Sequence, residues 1–382
     1  MRLPTRRSTS LGLAALAAAL ALGGGCNAFR WMHYEATGGT TATPPRSRPA
    51  APPAWLVRPD TLGEPHLRNV RQLTFGGDNA EAYWSWKGDK FVYQMSRRDG
   101  VVCDQIYVMN ADGTGERLVS TGKGRTTCAY FLAGDAGIVF ASTHHVSDEC
   151  PKLPVAVPGG YTWPVFDYDV WRVNVDGTGL RRIAGGAGYD AEPTVARDGL
   201  VVFTSERDGD LDIYTMQPDG SDVRRLTTTL GYDGGPTFSP DGSKIVYRTF
   251  HPEKPEDVAK YKSLLASRWV QPTQMNIWVM DRDGSNQRQV TELPGSSFAP
   301  CFTPDGKRIL FASNWRNPRG WDFDLYLVNL DGTGIEQVTT SLEFDSFPMF
   351  SPDGNQLVWE SNRFNDDAHK RDTNVFVADW VE

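Results

Sequence analysis

The residues able to do chemistry are few and scattered. The chain holds six histidines in 382 residues, with neither a Gly-x-Ser-x-Gly elbow nor a His-Glu-x-x-His pair. A serine-hydrolase or zincin domain is therefore not indicated. His144 and His251 share one aligned position, held in the other repeats by Arg97, Arg207, Trp315 and Arg363, and His369 lies in the corresponding loop of the last repeat; three neutral imidazoles brought together from alternate repeats would suit a transition metal. Asp78, Glu81, Asp190, Glu192, Asp233 and Asp345 form a second set. Gathered, they would attract a cationic ligand or coordinate a hard metal ion; singly, each can bond a neighbouring backbone N–H. Arg125 is the basic exception and would hold a carboxylate if unpaired. Tyr161 and Trp163 lie in a Pro-rich aromatic stretch from Pro154 to Pro164, a recognition surface if exposed and filler if buried.

Composition limits what these residues can serve. A share of 40% hydrophobic and 11% aromatic residues excludes disorder. With 47 Asp and Glu against 39 Lys and Arg the formal net charge is −8, so nucleic acid is a poor partner.

The first residues read as an address. Arg2, Arg6 and Arg7 precede an apolar run from Leu11 to Leu22, then Gly23-Gly24-Gly25-Cys26. Twelve helical residues rise only about 18 Å, short of a ~30 Å hydrocarbon core, so residues 1–25 are expected to be an export signal. A small residue before a Cys at the end of such a run resembles the bacterial lipobox, which implies lipidation at Cys26. Residues 26–65, rich in Pro, Thr, Ala and Gly, are expected to form a semi-extended tether.

From residue 66 to 382 the chain repeats. Arg225-Leu-Thr227, Gln289-Val-Thr291 and Gln337-Val-Thr339 align, as do Phe238-Ser-Pro-Asp-Gly242, Phe302-Thr-Pro-Asp-Gly306 and Phe350-Ser-Pro-Asp-Gly354. Asp212-Ile-Tyr214, Asn276-Ile-Trp278 and Asp324-Leu-Tyr326 align further on. Each unit contains four short β-branched and aromatic runs separated by Asp-Gly turns, which supply the positive φ of a tight hairpin. Runs such as Ile106-Tyr-Val-Met109 are apolar on both faces, so each sheet must be covered on both sides. The turn between first and second strands occurs six times, that between third and fourth only five. Val70–Phe75 is then a fourth strand lacking its own third, and it is expected to complete the last blade and close a six-bladed, all-β propeller of four-stranded antiparallel blades.

The motif order Leu-Thr, Phe-Ser-Pro-Asp-Gly, Asp-Ile-Tyr and Asp-Gly-Ser is similar to the TolB-type, WD40-like propeller repeat. That resemblance implies an envelope-anchored, non-enzymatic scaffold binding a protein, peptide or glycan partner at the channel mouth, with no cofactor. It equally admits a metal-dependent hydrolase or lyase, since a pectate-degrading propeller of this kind binds metal through loop histidines. Long loops of about 25 residues, 144–168 in blade 2 and 251–275 in blade 4, join second to third strands. They are expected to wall the mouth of the channel. Within the second loop, Val258, Tyr261, Leu264 and Leu265 have helical spacing after Pro255. An exported protein can hold disulfides; Cys128 with Cys150 is the expected pair, with Cys103 to either as the alternative and Cys301 a buried thiol.

Overall fold

A computed structural model describes residues 55–154, 162–186, 188–272, 274–367 and 369–382; Cys26 and Tyr161 lie outside them. Each repeat unit folds as one antiparallel sheet whose strands follow in space as in sequence. Blade 1 consists of Asp78–Trp84, Lys90–Ser96, Gln105–Asn110 and Arg117–Leu118. Blades 2 to 5 begin with innermost strands Thr126–Phe131, Asp190–Val195, Tyr232–Phe238 and Ser297–Phe302.

Blade 6 takes three strands from its own repeat, Asp345–Phe350, Gln356–Ser361 and Asn374–Trp380, and its fourth, Leu67–Gln72, from the other end of the propeller. Leu67 faces Trp380 and Gln72 faces Phe376 in antiparallel register. The closing strand buries Leu67 and Val70 completely against Trp359, Phe376 and Ala378. The ordered fold starts earlier than the sequence suggests. Leu56–Val57 pairs with Arg71 and Gln72 as a fifth strand, and buried Glu64 binds the Arg363 guanidinium at 3.0 Å.

Side chains buried on both faces of a sheet hold the ring together. In Val201–Ser205 every residue is buried; Phe203 packs with Tyr130, Val139 and Tyr214 across the blade 2 to blade 3 interface. The outer turns explain the repeated Asp-Gly-Thr/Ser. Asp112 Oδ1 accepts bonds from Thr114 N–H at 2.9 Å and Thr114 Oγ1 at 2.6 Å. The same pair of bonds recurs at Asp176, Asp219, Asp283 and Asp331. Gly113 between them has φ +79°, a conformation that costs glycine nothing.

The helix expected after Pro255 is present as α1, Pro255–Ala266, with Pro at its first turn and Glu256 and Asp257 placed favourably there. Tyr261 and Leu264 are buried, and Tyr261 packs on Val165, Tyr232, Val270 and Met275 with Leu265 beside them.

The disulfide departs from the expected pair: Cys103 bonds Cys150, with Cα atoms 5.8 Å apart, and Cys128 is free. The bond pins the blade 2 insertion to the neighbouring blade 1 loop. Cys128 is unavailable to Cys150 because its strand turns that side chain inward to the channel, as described next. Cys301 is a buried thiol.

Candidate functional site

Four of the acids that the sequence offered as a mouth ring, and the basic residues aligned with His251, are the two halves of one repeated device. Four blades begin the innermost strand with an acid, and a basic side chain just past the facing end of the second strand binds it. Asp78 takes both Nε and Nη2 of Arg97. Asp190 binds Arg207 at 2.8 Å, Asp233 binds His251 Nε2 at 2.9 Å, and Asp345 binds Arg363 at 2.8 Å. Blades 2 and 5 have Thr126 and Ser297 at the acid's place. There His144 turns Nδ1 to Ser142 Oγ at 2.7 Å and lies tilted against Trp171, ring centroids 4.3 Å apart, while Trp315 replaces the base in blade 5.

These clamps use up the charges. Burial alone would lower His251, but its bond to Asp233 and the nearby Asp210 and Asp212 carboxylates hold it above its ordinary pKa. Burial pushes Asp78 up to about 6 in spite of Arg97, and it lowers His144. His369 sits in an exposed loop, bonded to Asp366 at 2.7 Å. The three histidines are thus not brought to one centre, and among the described residues no three His, Cys, Asp or Glu side chains are grouped to hold a metal. Arg125 is likewise engaged, with Asp104 at 2.6 Å and over the face of Phe166.

Inside the mouth lies a feature the repeat alignment did not anticipate. Each innermost strand slips register by a bulge at the same place. The first bulge residue is left-handed in all six: Glu81, Cys128, Glu192, Gly235, Ala299 and Phe347, with φ between +49° and +58°. A bulge re-aims the side chain it carries, and all six residues line one central cavity of about 230 Å³. Proline follows directly in four of them, at Pro193, Pro236, Pro300 and Pro348. Proline inside a strand is confined to edges and bulges, so this aligned proline is the sequence signal that marks the site.

The cavity has a polar side and an apolar one. On the polar side Glu192 accepts from Thr204 Oγ1 at 2.7 Å, from Gly235 N–H at 2.8 Å and from the Arg248 guanidinium. Arg248 also lies over the rings of Trp163 and Tyr232, 5.1 and 5.5 Å from their centroids. It passes where a side chain would start on blade 4, since a Cβ on Gly235 would meet Arg248 Nη1 at 2.1 Å. Glu81 and Cys128 complete this side. Burial pushes the Glu81 carboxyl up to about 7, Glu192 and Asp104 adding to the rise while Cys128 and Arg248 oppose it. The Cys128 thiol is pushed well up by burial and by the Glu81 and Glu192 carboxylates, which makes it a poor nucleophile. Behind the bulge, buried Glu360 accepts the Ala82 N–H at 2.7 Å. The apolar side consists of Phe298, Ala299, Phe344, Phe347 and Met349.

Both insertions roof the cavity. Trp163–Pro164 of blade 2 pairs antiparallel with Trp269–Val270 of blade 4, and Trp163 lies edge-on to Tyr232 and Phe298 at 6.2 and 6.3 Å. Val165 N–H donates to Arg268 O at 2.9 Å. The long loops therefore stand on the expected face, joined to each other across the channel.

A family model described as the TolB beta propeller domain matches residues 167–262 and 265–367, just over half of the chain. The chain belongs to the TolB β-propeller family. Curated proteins yield no match. Among solved structures, TolB from Acinetobacter baumannii aligns at TM-score 0.50 and 15% identity over 80% of this chain and 64% of its own length, so the chain spans under two thirds of that TolB. A gluconolactonase of Xanthomonas campestris aligns at TM-score 0.53 and 16% identity, over 88% of this chain and 99% of the other. At such identities the likeness is one of fold, and a fold of this kind hosts many functions.

Proposed function

We propose that this TolB-family propeller is a binding protein whose site is the roofed central cavity, which receives an end group of a protein, peptide or glycan partner. One observation carries the reading: six re-aimed bulge residues converge on a single aromatic-lined cavity that both long insertions cover. Such a concave, largely apolar site with a few placed polar groups is the usual form of a binding pocket. The polar groups favour binding over catalysis, because Glu192 is tied into an ion pair, Cys128 is held as a thiol and each candidate histidine has its own partner. The Cys103–Cys150 bond supports an oxidising compartment, in keeping with export, anchorage through a lipid on Cys26 and a position in the periplasm or cell envelope.

A photo-cross-linking amino acid placed at Ala299 tests the site in cells, with exposed Val223 on an outer turn as the control. A discrete adduct from position 299 but not from 223 is expected. No adduct at 299, or the same adduct from both, would remove the cavity as the binding site.

A further inference from the structure

The charges on the cavity wall do not balance. Asp78, Asp104 and Glu192 line it and each is matched by an arginine, Arg97, Arg125 and Arg248 respectively. Glu81 lines the same wall and makes no ion pair among the described residues. Facing it are the Cys128 thiol, Tyr83 on its own strand, the Glu192–Arg248 pair, Asp104 and, behind the bulge, Glu360. Glu192 and Asp104 both oppose ionisation of Glu81, and the nearest cation, Arg248, is already bonded to Glu192.

The aromatic walls point the same way. Ring faces attract cations through their quadrupoles, and Arg248 over Trp163 and Tyr232 shows this wall already hosting one. Tyr83 and Tyr130, 5.5 Å apart, stand on the two strands that carry Glu81 and Cys128. An anion would meet Glu81 with no free arginine to receive it. A neutral ligand would leave Glu81 to be neutralised by a proton. Resting on the cavity as binding site, we propose that its occupant is an alkylammonium group, with its charge set against Glu81 and its alkyl chain along Phe298, Phe347 and Met349. The group belongs to a lysine side chain of a partner or to a free primary amine.

Isothermal titration of the full chain at pH 8 with n-pentylamine, 1-pentanol and pentanoate tests this. The amine is expected to bind at least about tenfold more tightly than the alcohol, and pentanoate more weakly than either. Glu81→Gln, with its fold verified by circular dichroism and melting, should erase the amine's advantage and leave alcohol binding unchanged. Lowering the pH from 8 to 5 should erase it too, because the amine stays charged while Glu81 takes up a proton. Nα-acetyl-lysine methylamide separates the sources: binding as tight as pentylamine supports a partner's lysine, and exclusion supports a free amine. If the alcohol equals the amine, and both are lost in Ala299→Phe, the ammonium proposal falls and the cavity stands. If no probe binds the proposal also falls, and the cavity falls with it only if the cross-linker at 299 yields nothing.

Discussion

Replacing Gly235 by Ala should cost more than one methyl group on a left-handed residue would. The left-handed backbone alone does not make it so. Ala299 holds φ +49° at the equivalent place in the next blade, and that conformation costs an alanine roughly 1–2 kcal/mol. The larger cost comes from Arg248. The added Cβ would lie 2.1 Å from Arg248 Nη1, so the guanidinium must leave, and Glu192 would remain buried without its counter-charge. Breaking one side of a buried ion pair costs about 3–5 kcal/mol, so Gly235→Ala should destabilise by roughly 5 kcal/mol in total.

The reasoning is tested by removing the pair first. In a Glu192→Gln/Arg248→Met background the flexible methionine can yield, no charge is stranded, and the same Gly235→Ala change should cost only about 1–2 kcal/mol. Urea unfolding followed by tryptophan fluorescence gives both values, and the difference between them is the coupling. A cost equal in the two backgrounds to within about 0.5 kcal/mol would show that the sites do not interact, and would refute the crossing of Arg248 over Gly235.

Further consequences are as direct. Glu81 is raised from 4.5 to about 7 by burial, so its protonated form stabilises the fold below pH 4.5 and that contribution is lost as pH rises through 7. Relative to Glu81→Gln, the wild-type protein should lose about 3 kcal/mol of stability between pH 4 and 8; parallel stability curves would contradict the burial of that carboxyl. Non-reducing peptide mapping should recover Cys103 joined to Cys150 with Cys128 and Cys301 free, and a Cys128–Cys150 peptide would overturn the pairing. Cys150→Ser opens a 47-residue separation, a loss of up to about 4 kcal/mol from loop entropy, with proteolysis in the blade 2 insertion as the first sign. Elemental analysis of protein purified without chelator should find no metal that depends on His144 and His251. One equivalent that vanishes in His144→Ala/His251→Ala would restore the hydrolase or lyase reading.

The architecture was legible because it is written many times over. Asp-Gly-Thr/Ser turns and paired apolar runs depend on local chemistry, so counting them sufficed to find the closing strand, although it runs over Leu67–Gln72 rather than the expected Val70–Phe75. The site was less legible because it depends on where side chains point. Cys128 with Cys150 would close within one blade and pin the long loop; the bulge after Thr127 instead turns Cys128 to the channel. The acids and the aligned Arg and His recur along the sequence, yet the recurrence reflects a clamp within four of the blades rather than a ring open to ligand. Asp190 and Asp233 could not be told from Glu192 by residue type. Only the register, in which the first two face the second-strand ends and the third sits on the bulge, separates structural acid from cavity acid.

That separation also explains why function should be sought where the repeat is broken. A position that only closes the fold can carry the same kind of side chain from blade to blade, as the turn aspartates of blades 1 to 5 do. The inward bulge position carries Glu, Cys, Glu, Gly, Ala and Phe in turn around the ring, although all six share one backbone conformation. The backbone constraint is therefore met equally by unlike side chains, and folding alone does not select among them. What differs between blades is the surface presented to the channel: acid and thiol on blades 1 to 3, an arginine reaching across glycine on blade 4, apolar groups on blades 5 and 6. An asymmetric wall inside a symmetric scaffold suits an occupant with one charged and one apolar end. Exchanging the bulge residues of blades 1 and 6, as Glu81→Phe/Phe347→Glu, keeps the composition and backbone while moving the charge into the apolar half. If the pattern serves binding, this exchange should abolish the amine's preference at a smaller cost in stability than Gly235→Ala. An unchanged preference would show that the cavity reads only volume.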